Sequence, residues 1–72
     1  MENCKKFFET SAQFKKDLAK IEKAETLKEL NELESRCVNE LQLMIVEVEM
    51  CGRDLRALRD KRDREIRDGQ NG

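Results

Sequence analysis

Three cysteines (Cys4, Cys37 and Cys51), sixteen carboxylates and an arginine-rich C-terminal stretch are the residues of this 72-residue chain whose types could carry chemistry. Histidine is absent, which removes HExxH zinc sites, Ser-His-Asp and Cys-His nucleophile pairs and imidazole general bases. The cysteines are odd in number and form no CxxC pair, so reduced thiols are expected rather than a disulfide framework. Cys37 and Cys51 would stand about 21 Å apart on a continuous helix, too far to bond each other. All three are therefore read as small apolar residues in a packed interior. The carboxylates show no EF-hand spacing, and no Gly-rich phosphate loop or dinucleotide fingerprint occurs. No catalytic, metal-ligating or cofactor-binding residue is expected, and no enzyme activity.

The segment RDLRALRDKRDREIRD, residues 53–68, holds seven bases and five acids. A helical row through Arg53, Arg56, Arg59 and Arg62 could follow a phosphate backbone. Against that, Glu49 to Arg53, Asp60 to Arg64 and Asp63 to Arg67 are acid-first i,i+4 pairs that already engage the arginines. The chain also lacks Tyr and Trp, the usual platforms for stacking single-stranded bases. A solvated charged helix is the leading expectation for this segment, and a polyanion contact the alternative.

These side chains must be placed by helices. Pro is absent, Gly occurs only three times, and 43% of residues are Asp, Glu, Lys or Arg, a composition of long helices. Cys4, Phe7, Ser11, Phe14, Leu18 and Ile21 are spaced alternately by three and four, the a/d rhythm of a helix packed along one seam. Leu27, Leu30, Glu34, Cys37, Leu41, Met44, Val48, Cys51, Leu55 and Leu58 continue that rhythm with a single polar intrusion, Glu34, which could act as a register device. The two series are out of phase, and Thr26 with Glu29 makes a T-x-x-E capping box. The fold class expected is all-α: an antiparallel helical hairpin with coiled-coil packing, its short helix about 4–22, its long helix about 27–67 and its turn near Lys23 to Thr26. The alternatives are one continuous helix with a phase slip and a three-helix bundle broken at Gly52. Residues 1–68 form the single domain and 69–72 a frayed tail.

Charge agrees with the hairpin. Residues 1–21 carry a net +2 and residues 22–49 a net −5, so a basic first helix would lie on an acidic half of the second. Surface pairs of this kind select among packings and contribute only tenths of a kcal/mol each.

The stretch LQLMIVEVEMC, residues 41–51, is polar only at Gln42, Glu47 and Glu49. Leu41, Met44 and Val48 belong to the seam and Ile45 widens it, whereas Leu43, Val46 and Met50 form a second apolar stripe. A first helix about 27 Å long runs out near Met44, so one short neighbour cannot cover both stripes. A partner-binding surface is expected at Leu41, Leu43, Met44, Ile45, Val46, Val48, Met50, Leu55 and Leu58. The function expected is a protein-protein interaction module, of the adaptor, co-chaperone or inhibitor kind, that dimerises or captures a partner helix. The alternative is a small dimeric nucleic-acid-associated regulator using the arginine-rich helix. MENCKKFF lacks the apolar core of a signal peptide, and the apolar run is about half a membrane span. A soluble cytoplasmic protein without membrane contact is expected.

Overall fold

The computed structural model describes residues 1–71, and the side chains of residues 1–69. It is an antiparallel hairpin of two helices, α1 (Glu2–Ile21) and α2 (Leu27–Asn71), measuring 67 × 17 × 13 Å. The described residues contain no strand. The second helix runs unbroken through Gly52 and Gly69, so the three-helix alternative is not adopted. One glycine inside a helix costs about 1 kcal/mol, too little to stop a helix of 45 residues whose other positions favour it. The stretch expected to fray, 69–72, is helical as far as Asn71, and Gly72 lies outside the described residues.

The connection needs neither Gly nor Pro because no described residue adopts a positive φ. At the end of α1 the N–H groups of Lys23 and Ala24 donate to the carbonyls of Lys20 and Ile21 at 3.0 and 3.3 Å, satisfying carbonyls that the helix leaves without partners. The next helix begins where the sequence places its cap. The Glu29 N–H donates to Thr26 Oγ1 at 3.2 Å, and the Glu29 carboxylate accepts from the Glu25 N–H at 3.3 Å, one residue earlier than an ideal capping box. Thr26→Ala should therefore lower stability by about 1 kcal/mol, read as a shift in the urea midpoint with unchanged slope; no shift would mean that water replaces the cap.

The register runs further along α2 than the helix lengths suggest. Lys20, Lys23 and Ala24 line a cleft with Glu29, Glu32, Leu33 and Arg36, so the connecting residues lie beside the first turns of α2 and α1 is displaced toward its C-terminal half. At the far end Asn3 donates to Asp54 Oδ2 from its side-chain amide at 3.0 Å and from its backbone N–H at 3.4 Å. Asp54 thus serves the amide groups that the start of α1 leaves unpaired, where a negative charge is favoured. Contact with α1 extends to Asp54 rather than ending near Met44, and the uncovered part of α2 begins at Leu55.

The same register joins Cys4 to Cys51 in a disulfide, with Cα atoms 4.4 Å apart and 47 residues of sequence separation. This corrects the expectation of three thiols. Spacing along one helix excludes a Cys37–Cys51 bond, but it says nothing about pairs that a hairpin brings together. Cys37 alone remains free, and it is buried.

Candidate association surface

The face that α2 turns to α1 is narrower and more polar than the sequence pattern suggests. Its buried and half-buried residues are Leu30, Leu33, Cys37, Glu40, Met44, Glu47, Cys51 and Asp54. One expected column, Leu30, Cys37, Met44 and Cys51, is there. The other is rotated by one residue: Leu33, Glu40, Glu47 and Asp54 stand where Glu34, Leu41, Val48 and Leu55 were expected. Similarly, α1 buries Asp17, at 1% exposure, instead of Leu18, at 49%.

This rotation puts acids against the hairpin interior. Gln13 Nε2 donates to Asp17 Oδ1 at 3.2 Å, and Lys20 Nζ lies 3.9 Å from the same oxygen. Glu40 faces Asp17 from α2. Burial, then a hydrogen bond to Asp17 and its negative charge, push the Glu40 carboxyl above its ordinary range, with Arg36 pulling weakly the other way. A carboxyl raised by burial beside a second acid is the arrangement in which one proton can serve both. Burial, and after it Glu40 and Asp17, also push the Cys37 thiol up, which keeps it protonated and a poor nucleophile.

The linkage has a definite sign. A carboxyl whose folded value is raised contributes stability that is fully present below its unfolded value and lost as pH rises through the folded one. The hairpin should therefore melt at a higher temperature near pH 4 than near pH 7 so far as Glu40 is concerned. Glu40→Gln, which supplies a donor to Asp17 without a proton to lose, should raise the neutral-pH melting temperature and flatten the profile. A variant less stable than the parent at pH 7 would show that the pair is not proton-shared.

The other consequence of the rotation lies outside the hairpin. Leu41, Ile45, Val48 and Leu55 are 46%, 63%, 50% and 56% exposed, and Leu43, Val46 and Met50 are 50%, 57% and 38% exposed. At about 100° per residue, the first group lies on one flank of the α1 contact and the second on the other. Of the expected surface residues only Met44 is taken up by α1. Leu58 is exposed beyond the end of α1 and lines a shallow groove with Leu55, Arg59, Arg62, Asp63 and Ile66. The hairpin thus brings the expected surface residues onto two flanks and one overhang rather than a single patch.

The first helix adds exposed Met1, Phe8 and Leu18, of which only Leu18 belongs to the expected a/d series. Helix phase places Phe8 and Leu18 on the same side of the hairpin as Leu41 and Ile45. The hint in the sequence is that Phe8 falls outside the a/d series, as Val46 does.

The arginines do not share a face. Successive i,i+3 steps turn by about 60° backward, so Arg53 and Arg62 point in opposite directions. Arg59 pairs with Asp60 at 3.4 Å, Arg62 with Glu65 at 3.1 Å and Arg67 with Asp63 at 3.2 Å; the last is an acid-first pair anticipated from spacing. Arg53 and Arg56 are exposed.

Among the described residues there is no cluster of His, Cys, Asp or Glu suited to a metal ion, and no helix is long and apolar enough to cross a membrane. Comparison with protein-family models, with curated proteins and with solved structures gives no match for this chain.

Proposed function

We propose that this chain is a non-enzymatic association module, of the adaptor, co-chaperone or inhibitor kind, that binds helices through the exposed apolar flanks of α2. One observation carries the reading: the hairpin seam takes in Glu40, Glu47 and Asp54 while Leu41, Val48 and Leu55, one residue further on, stay exposed. Exposed apolar area of this extent on a small chain marks a contact surface more often than idle surface. Helix-in-groove binding would use these side chains as anchors, while the surrounding charges would orient the partner and reject wrong ones.

The test is sedimentation of the chain over a wide concentration range, alone and with a probe helix about four heptads long carrying Leu at every a and d position and Glu or Lys elsewhere. Concentration-dependent mass or binding of the probe is expected. A chain that stays monomeric and ignores the probe overturns the reading.

A further inference from the structure

On α2 the exposed flank that contains Ile45 is longer than the apolar stretch 41–58. Leu27, Asn31, Glu34, Val38, Leu41 and Ile45 continue into Val48, Gly52, Leu55, Arg59, Arg62 and Ile66 with an unbroken alternation of four and three, the spacing of a second coiled-coil seam. Its large apolar members are 45–76% exposed, and Arg59 and Arg62 expose 71% and 70% of their side chains. Gly52 has nothing within 4 Å of where a Cβ would stand. The seam therefore lacks a neighbour in the hairpin.

The order of residue types along this seam is self-complementary. Reversed about a point between Val46 and Glu47, it places Ile45 against Val48, Leu41 against Gly52, Val38 against Leu55, Glu34 against Arg59, Asn31 against Arg62 and Leu27 against Ile66. Apolar residues meet apolar ones, a leucine meets the position with no side chain, and the one acid of the seam meets an arginine. Each pair joins an a position to a d position, the pairing that antiparallel coiled coils require. Parallel pairing would instead set Glu34 on Glu34, Arg59 on Arg59, Arg62 on Arg62 and Gly52 on Gly52, with three repulsions and a void. Antiparallel pairing also lays the net −5 of residues 22–49 along the net +2 of residues 53–68.

We infer that the Leu27–Ile66 seam of α2 binds the same seam of a second copy of this chain, antiparallel, about a two-fold axis between Val46 and Glu47. The inference rests on the association reading and specifies its partner. A two-fold contact of this kind is isologous, each residue pair occurring twice. The uncovered end of each α2, from Leu55 onward, then lies beside the first turns of the other copy's α2. Phe8 and Leu18 of α1 face the same way as the seam, so the first helices of the two copies approach each other and the assembly is a four-helix bundle.

The size is sufficient. The seam is about 58 Å long at 1.5 Å per residue, and a helix about 10 Å wide over that length, with the contribution of α1, presents a footprint of about 850 Å² per copy. Standard stable interfaces bury about 800 Å² per partner.

The experiment is sedimentation equilibrium on the full chain and on Glu34→Arg, Arg59→Glu and the double variant, with helix content checked by circular dichroism. Because each pair occurs twice, either single swap turns two attractions into two repulsions. Each is expected to weaken the dimer by about tenfold, and the double swap to restore it to within about threefold of the parent. Single swaps without effect, or a double variant no better than the singles, would overturn the antiparallel register while leaving the association reading intact. A parent chain that stays monomeric yet binds the leucine-seam probe helix would overturn self-pairing alone. Failure of both self-association and probe binding would bring down the inference and the reading together.

Discussion

Reducing the Cys4–Cys51 bond is expected to lower the unfolding free energy of this hairpin by about 4 kcal/mol. The bond closes a loop of 47 residues, and the chain-entropy relation gives about that value for a loop of such length at 25 °C. The loss is large here because the rest of the fold supplies little. Among the described residues only Cys4, Cys37 and Asp17 are buried, so much of the contact between helices is half-exposed, in a chain of a size that ordinarily needs a staple or a partner. Urea unfolding with and without reductant measures the difference under conditions that keep the chain monomeric. Cys4→Ser should match the reduced parent and be insensitive to reductant. Cys37→Ala, by contrast, should retain the reductant sensitivity. Equal midpoints for oxidised and reduced parent would show that packing alone sets the stability. Self-association should partly mask the effect, because a partner that binds only the folded hairpin adds stability of its own.

Much of this architecture is legible from spacing because helices repeat locally. The out-of-phase series either side of Thr26 gives two helices, and the Thr26–Glu29 cap fixes the start of the second to the residue. Half of the seam, Leu30, Cys37, Met44 and Cys51, follows from the same alternation. The other half is not legible, for a physical reason. Between residues 40 and 55 each residue expected in that other column has an acid directly before it: Glu40 before Leu41, Glu47 before Val48, Asp54 before Leu55. A rule that assigns apolar residues to the interior selects Leu41, Val48 and Leu55, which is sound for a lone hairpin. In the structure α1 takes the neighbouring column, where Asp54 accepts from Asn3 and Glu40 meets Asp17, and the apolar column is left outside.

Register is the other quantity that local periodicity does not contain. It depends on how the connecting residues 22–26 lie against α2, and only the register shows that Cys4 reaches Cys51. Gly52 misleads in the opposite direction. It punctuates the sequence without interrupting the helix, and its lack of a side chain matters on the outer seam, opposite Leu41 of a second copy.

The largest effect on assembly is expected from Ile45→Glu. Ile45 is 63% exposed in the hairpin, so the substitution removes nothing from the interior and should leave monomer stability nearly unchanged. In the two-fold assembly it stands beside the axis and occurs twice. Removing a large apolar side chain from a buried position forfeits about 1.5–3 kcal/mol. Two copies therefore lose about 3–6 kcal/mol, which weakens the dimer by about a hundredfold to ten-thousandfold. Val46→Glu is the matched comparison: Val46 is 57% exposed, adjacent in sequence and equally apolar, but on the opposite flank of α2 with Leu43 and Met50. It should leave the dimer constant within about threefold. Contact through Leu43, Val46 and Met50 would be additional, and Val46→Glu would remove only mass beyond the dimer. If both variants dissociate the dimer equally, the division of α2 into two flanks is wrong. If Val46→Glu dissociates it and Ile45→Glu does not, the second copy binds the Leu43 flank, and the complementarity between Glu34 and Arg59 plays no part in holding the chains together.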